Sequence, residues 1–328
     1  MTDSSPGRAR LWRRLWRNAY WFRADRHLHR EYAGIRHLLL FGGQGIGDEL
    51  LLSTAAHELR ARGTEGIGVM THAPGLFRHS PDVDVVKPMR LDHVNLLPRI
   101  GITVRHLGYI ARQEPPDIDV PPPRHLLAEM CRLAGARGPV ALRPYLFLQP
   151  EERAAVRRDR PYWVVHSSRR SASFTLDNKE WFPERFQAVI DRLRGRIHFI
   201  QLGHPAEPAL AGVEDLRGRT TLRESAALLA GADGLVGLVG LVMHLARAVD
   251  CPGVILYGGR EHPDQSGYPA NENLYRPVPC APCWRRSSCD HEHICMTSIA
   301  VNDVLAAIER VAAHARARPL PAATADVG

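Results

Sequence analysis

The sequence is poor in lysine and in long apolar runs. Only two of its 43 basic residues are lysines, Lys87 and Lys179. The longest nearly apolar run, residues 234–243, contains three glycines and is too short to cross a bilayer, so the sequence predicts no transmembrane helix. With 328 residues, 45% of them hydrophobic and 24% charged, the chain has the composition of a globular protein of two medium domains.

Excess positive charge is scarce outside the first tenth of the chain. The formal net charge is +8, and residues 1–30, with eight arginines and two aspartates, account for +6. Because the remaining chain is nearly neutral, the charge does not indicate a nucleic-acid partner.

The basic N-terminal segment is also rich in tryptophan and leucine. At helical spacing these side chains fall on one side and the arginines on the other. This pattern is typical of an interfacial anchor on anionic lipid, although a packing helix with a solvated arginine face would look the same. We predict a basic amphipathic extension over residues 1–32 and a cytoplasmic protein, peripheral on the inner membrane face.

The rest of the chain alternates short β-like runs with amphipathic helices, which is typical of parallel α/β layers. A segment with three prolines and many charges, residues 142–161, predicts the connection between two such series. We predict Rossmann-like domains over residues 33–150 and 151–315 and a flexible tail over residues 316–328. Ligands of such domains bind beyond the carboxyl ends of the strands, in the cleft between them.

A glycine-rich segment, GGQGIGDELLLSTAA (residues 42–56), follows the first predicted strand. Such a loop lets the backbone approach a phosphate at a helix start. It does not complete the dinucleotide fingerprint G-x-G-x-x-G, because Asp48 occupies the last glycine position. Asp48 is either a first-turn carboxylate that complements the helix dipole or a base presented to the cleft, and the residue alone favours the first interpretation.

The second half of the chain offers two further candidate anion sites. Residues 167–186 run from a strand through hydroxyl groups and two arginines to Lys179, whose compact ammonium would suit a diphosphate. The alternative is a chance surface lysine. Residues 237–249 repeat the strand, glycine and helix pattern, which predicts a second anion site. His244 in this segment is, by itself, more often a core or capping histidine than a catalyst.

Four of the six cysteines lie within sixteen residues, at Cys280, Cys283, Cys289 and Cys295. In a cytoplasmic protein this favours a metal over two disulfides, although the spacing is tighter than in common zinc ribbons. Thiolate sites of this kind hold zinc or iron. Four protein ligands would leave no open position, so the predicted role is structural.

These motifs, in this order, resemble those of glycosyltransferase family 9, the ADP-heptose:lipopolysaccharide heptosyltransferases. The matching segments are the glycine loop with its Gly-Asp pair, KEWFP (residues 179–183), QLGHPAEPA (residues 201–209), GRTTL (residues 218–222), VMHLA (residues 242–246) and the cysteine segment (residues 280–296). The resemblance runs from about residue 37 to residue 311.

The resemblance implies the GT-B architecture, an α/β fold in which two Rossmann-like doubly wound domains face a central cleft. It also implies inverting transfer of a heptose-like sugar from a nucleotide diphosphate donor to lipopolysaccharide or another cell-surface glycan, with no metal for the chemistry. Asp48 would be the general base, on an acceptor-side loop containing Gly43, Gly45 and Gly47.

On the donor side, the resemblance implies a larger set of residues around the nucleotide sugar. Lys179 and the helix start at Met243 would offset the charge that grows on the leaving diphosphate. The predicted donor-binding residues are Lys179, Arg169, Ser167, Gly203, Thr221, Gly240, Met243 and His244.

One position departs from the family pattern. Many members carry an acidic residue five positions before the histidine of VMHLA, where this chain has Val239. Val239 leaves open a catalytically silent GT-B protein that binds a nucleotide or a partner. The cysteines leave open a protein O-heptosyltransferase, because relatives of that kind use cysteines for an iron site and assemble into rings.

Overall fold

The computed structural model of the protein describes residues 26–43, 45–110, 113–114, 117–168, 176–315 and 324–327. The predicted amphipathic segment up to residue 25 and the predicted donor residue Arg169 lie outside these ranges. Within them, no helix combines the length and apolar character needed to cross a membrane.

The N-terminal lobe is built on a four-stranded parallel sheet in the order β3-β2-β1-β4. Its strands are β1 (His37–Leu40), β2 (Ile67–Thr71), β3 (Val85–Pro88) and β4 (Thr103–His106). Three leucines of the central strand β1 are fully buried. Burial on both faces explains why β1 is a continuous apolar run rather than an alternating one.

Helices and short strands surround this sheet. The helices are α1 (residues 26–31), α2 (Ile46–Leu50), α3 (Leu52–Ala61), α4 (Leu126–Ala134) and α5 (Pro150–Ala155). Two 3-10 turns cover Pro74–Phe77 and Val94–Ile100, a hairpin is formed by β5 (Gln113–Glu114) and β6 (Ile118–Asp119), and β7 spans Pro139–Ala141.

The C-terminal lobe contains a six-stranded parallel sheet in the order β10-β9-β8-β11-β12-β13. Its strands are β8 (Trp163–His166), β9 (Phe199–Gln201), β10 (Glu214–Asp215), β11 (Gly234–Leu238), β12 (Gly253–Tyr257) and β13 (Glu272–Tyr275). Its helices are α6 (Pro183–Leu193), α7 (Leu222–Ala230), α8 (Leu241–Ala248), α9 (Pro263–Ser266), α10 (Ile294–Thr297) and α11 (Val301–Ala315), with a 3-10 turn at Asp177–Lys179.

Helices cover both faces of the second sheet. The apolar sides of α6 and α11 form one core with it, and α7 and α8 pack on the opposite face. This second core continues into the N-terminal lobe, where it includes α3 and α4, so the two lobes share buried apolar surface. The arrangement confirms the predicted α/β fold of two doubly wound lobes.

Two segments differ from their predictions. Residues 142–161 are not only a connection, because Pro150 and the capping box of Gln149 with Glu152 begin helix α5 there. Nor is the predicted flexible tail mobile throughout. Strand β14 (Thr324–Asp326) pairs antiparallel with β7, and Val327 is buried. This pairing crosses more than 180 residues of sequence, which composition alone does not reveal.

Candidate active site

The two lobes meet where their glycine turns begin helices. Gly47 in α2 packs against the start of α8, so closely that a Cβ on it would lie 3.2 Å from both the Cα and the N of Leu241. These turns follow the central strands β1 and β11. The carboxyl edges of the two sheets therefore face each other, as the cleft prediction requires.

Asp48 lies in this contact region beside a tyrosine that follows the neighbouring strand β4. The hydroxyl of Tyr109 donates to Asp48 Oδ1 at 2.9 Å. The Tyr109 ring stacks on Phe41, with 6.1 Å between the ring centroids. A side chain at Gly43 would overlap the Phe41 ring, and one at Gly45 would overlap the Asp48 carboxylate. The loop glycines thus make room for the arrangement that holds Asp48.

The adjacent carboxylate, Glu49, has a structural position. Glu49 is fully buried and accepts hydrogen bonds from the Thr71 hydroxyl at 2.5 Å and from the His72 amide at 2.9 Å. The half-exposed imidazole of His72 contacts its other oxygen. Glu49 therefore ties α2 to the end of β2.

Lys179 is not a chance surface lysine. It ends the 3-10 turn Asp177–Lys179, is only 8% exposed, and its ammonium pairs with the buried carboxylate of Glu261, which follows β12. Burial opposes ionisation of Glu261, but the charges of Lys179 and Arg260 outweigh it and lower the pKa of Glu261 to about 2. The structure therefore places a buried ion pair beyond the carboxyl ends of β8 and β12.

Two predicted donor glycines occupy equivalent turns. Gly203 after β9 and Gly240 after β11 both have a φ of 151°, a backbone conformation that is essentially restricted to glycine. Gly240 caps α8. At Gly203, the buried carboxylate of Glu207 fills the space that a side chain would take, 4.0 Å from His166 Nε2.

Two predicted donor hydroxyls are engaged within the fold. Ser167 is fully buried, and its Oγ accepts from the Gln201 amide at 3.3 Å. Thr221 is the N-cap of α7, and its side chain forms a capping box with Glu224. Each of these side chains therefore has a structural role in the protein as observed.

Met243 and His244 lie in the first turns of α8, and both side chains point into the protein. Met243 is fully buried and its sulfur contacts the Tyr257 hydroxyl. His244 is buried, and its Nδ1 lies 2.6 Å from the Tyr268 hydroxyl. At these positions, the backbone of the first turn is the part available to a diphosphate.

The four clustered cysteines do not fit the predicted metal centre. In the part of the chain that the structure describes, no three His, Cys, Asp or Glu side chains come together in a way that could hold a metal ion. Cys295 packs against Gly259, whereas Cys289 accepts the His293 amide at 3.4 Å.

Three candidate site residues were not singled out from the sequence. Glu207 and Glu261 each follow a predicted strand, at the edge where parallel strands present ligands, and this signal could have indicated them. Tyr109 follows β4, a strand that was not predicted. Val239, at the position where many family members have an acid, is buried at the end of β11.

Comparisons with known proteins agree with this arrangement. Residues 142–293 match the model of glycosyltransferase family 9 (heptosyltransferase). No curated protein matches the sequence significantly.

Solved structures extend the likeness over most of the chain. A glycosyl transferase family 9 protein from Veillonella parvula DSM 2008 has a TM-score of 0.65 at 15% identity, covering 85% of this chain and 98% of its own. The ADP-heptose lps heptosyltransferase II of E. coli has a TM-score of 0.64 at 17% identity, covering 86% and 100%. The iron-containing dodecameric glycosyltransferase TibC of enterotoxigenic E. coli H10407 has a TM-score of 0.66 at 18% identity, covering 85% and 77%.

At these identities the solved structures establish the fold, and the family model covers most of the C-terminal lobe, where Lys179 and both predicted donor glycines lie. The predicted resemblance is confirmed: residues 142–293 match the model of glycosyltransferase family 9 (heptosyltransferase), and the chain has the GT-B fold of the heptosyltransferases it resembles.

Proposed function

We propose that the protein is an inverting glycosyltransferase. It moves a heptose-like sugar from a nucleotide diphosphate donor to lipopolysaccharide or another cell-surface glycan, without a metal for the chemistry. The observation that carries this proposal is the placement of Asp48 at the edge of one lobe and the Lys179–Glu261 pair at the edge of the other. Tyr109 is near both groups: its hydroxyl donates to Asp48, and the charges of Asp48 and Glu261 both raise the pKa of its phenol.

In this mechanism Asp48 removes the proton from the acceptor hydroxyl as its oxygen attacks the anomeric carbon. The bond from that carbon to the diphosphate breaks on the opposite side, which inverts the configuration. Lys179 and the first-turn amides of α8 offset the negative charge that develops on the diphosphate. Because the two lobes are in close contact, Asp48 and the donor site are held at a fixed distance and orientation.

ADP-heptose is the first donor to test. The likeness to an ADP-heptose heptosyltransferase supports it. We would incubate the protein with a panel of nucleotide sugars, with water as default acceptor, and measure binding and nucleoside diphosphate release by mass spectrometry. Release from one donor, lost in Asp48→Asn and retained in the surface variant Asp191→Asn, supports a transferase. Absence of both binding and release for every donor contradicts it.

The same panel addresses the silent GT-B protein. Val239 is the observation that favours this alternative, since it places a buried apolar side chain where many relatives have an acid. Two carboxylates, Glu207 and Glu261, nevertheless lie at the same edge of the sheet. A donor that binds without being cleaved, even with acceptor glycans supplied, would favour the silent protein. Protein O-heptosylation stays the second alternative; within the described residues the cysteines form no group of ligands that could hold a metal ion.

We also propose that the basic extension predicted over residues 1–32 holds the protein at the inner membrane face through residues 1–25, since Leu28 and Tyr32 are buried in the N-terminal lobe. The support is the segregation of arginine from tryptophan and leucine in this segment. Full-length protein should sediment with phosphatidylglycerol vesicles, and much less so with phosphatidylcholine vesicles or in high salt. Deletion of residues 1–25 should release it. Vesicle binding that survives the deletion would contradict the anchor.

A further inference from the structure

We infer that Tyr109 is a positioning residue for Asp48: its hydroxyl holds one carboxylate oxygen and favours the ionised base. This inference rests on the proposed function, in which Asp48 takes the acceptor proton. It adds a residue that neither the motifs nor the family model indicates, since Tyr109 lies outside the matched residues 142–293.

The position of the Tyr109 hydroxyl is fixed by two adjacent strands. Its ring stacks on Phe41 at an interplanar angle of 24°, and Phe41 itself is 8% exposed. Phe41 directly follows β1, and Tyr109 lies three residues after β4, the neighbour of β1 in the sheet. The hydroxyl therefore reaches Asp48 Oδ1 from a rigid support rather than from a mobile loop tip.

The phenol acts as a donor over the whole working pH range. Burial, followed by the charges of Asp48 and Glu261, raises the pKa of Tyr109 well above its ordinary value. It therefore stays protonated and donates to the carboxylate. A hydrogen bond to the charged form of an acid favours ionisation. The hydrogen bond from Tyr109 also limits rotation of the Asp48 carboxylate. The orientation of its other oxygen, Oδ2, is thereby fixed.

Other titratable and charged groups lie near Asp48 and Tyr109. Tyr268 experiences the Asp48 charge, and the hydroxyl of Tyr268 contacts His244 Nδ1. Glu49, on the same helix, accepts from Thr71 and His72 instead. On the donor side, the groups that face Tyr109 and its surroundings are Arg260, Glu261 and Lys179. All of these remain in place when only the Tyr109 hydroxyl is removed.

The test compares the wild type with Tyr109→Phe, which keeps the ring and its stacking on Phe41. Tyr162→Phe is the matched control, because it also removes a hydroxyl with a buried hydrogen bond, to the Leu228 carbonyl. Tyr162 precedes β8, at the amino edge of the sheet and away from the cleft.

The measurement is an NMR titration of protein labelled with ¹³C at the aspartate carboxyl carbons. The Asp48 signal is identified as the one that is missing in Asp48→Asn.

The inference predicts that the Asp48 titration moves up by about one pH unit in Tyr109→Phe and stays in place in Tyr162→Phe. The acidic limb of the pH profile for ADP release from ADP-heptose should move with it. The maximal rate should fall about tenfold, while the affinity for ADP-heptose stays unchanged. Coincident titration curves for wild type and Tyr109→Phe would overturn the inference.

The outcomes separate this inference from the proposed function. If Asp48→Asn abolishes ADP release and the titration curves coincide, the base remains and the role of Tyr109 is refuted. If Asp48→Asn releases ADP at the wild-type rate, Asp48 is not the base. The hydrogen bond from Tyr109 to Asp48 then has no role in catalysis either.

Discussion

At the residue scale, the proposed function gives the Lys179–Glu261 pair both a structural and a binding role. Removing one partner leaves a buried unpaired charge, which typically costs about 3–5 kcal/mol. We therefore expect Lys179→Met to lower the free energy of unfolding and to weaken ADP binding by about tenfold or more. Urea unfolding and calorimetric titration with ADP measure the two effects.

The double variant Lys179→Met/Glu261→Gln separates the two roles of the pair. It removes both charges, so most of the stability should return while ADP affinity stays low. ADP affinity that recovers together with stability would show that Lys179 acts on the donor only through the fold.

At the element scale, the proposed function depends on how closely the starts of α2 and α8 approach. Alanine at Gly47 would favour the helix by up to about 1 kcal/mol, yet its Cβ would press on the Leu241 backbone at 3.2 Å. Gly47→Ala should therefore retain its melting temperature and lose about tenfold in ADP release, because the two lobes shift relative to each other.

Gly42→Ala is the control for this contact. It lies in the same loop, and a Cβ there meets no atom within 4 Å. Its ADP release should match the wild type. Equal rates for Gly47→Ala and Gly42→Ala would mean that the contact between the helix starts does not set the geometry of the reaction.

At the scale of the whole molecule, one arginine joins the lobes away from the candidate site. Arg223 in α7 donates to both oxygens of Glu152 at 2.5 and 2.6 Å, to the Gly75 carbonyl at 2.9 Å and to the Phe147 carbonyl at 2.6 Å. Since Glu152 is partly exposed, Arg223→Leu should cost about 2 kcal/mol, measured by urea unfolding at pH 7. Arg194→Leu, which breaks an exposed pair with Asp191, should have no measurable effect.

This contact also predicts a pH dependence. The hydrogen bond from Arg223 lowers the pKa of Glu152 from 4.5 to about 2. A lowered pKa contributes stability above pH 4.5, and that contribution is lost as the pH falls from 4.5 towards 2. The wild type should therefore lose more stability than Arg223→Leu over this interval. Parallel stability curves would contradict the assignment.

Local sequence patterns predicted much of this protein. The apolar run of β1, the glycine turns beginning α2 and α8, and the apolar side of α6 are local signals, and each was found where expected. The scarcity of lysine drew attention to Lys179, which is indeed buried.

The remaining features depend on contacts between distant residues. Tyr109 is 61 residues from Asp48. Glu261 follows β12, whereas Lys179 ends a 3-10 turn far earlier in the chain, so no local pattern joins the members of either pair. The cysteine prediction failed for the opposite reason. The four cysteines are close in sequence, but their side chains do not come together as ligands of a metal ion. Strand β14 was missed because its partner β7 lies in the other lobe.

The most direct test of the account separates donor binding from donor cleavage at Asp48. We would measure the affinity for ADP-heptose and the single-turnover rate of ADP release in the wild type and in Asp48→Asn. The account predicts affinities within about twofold and a release rate at least about a hundredfold lower in the variant, since a general base acts in the transition state. Release at the wild-type rate would contradict it.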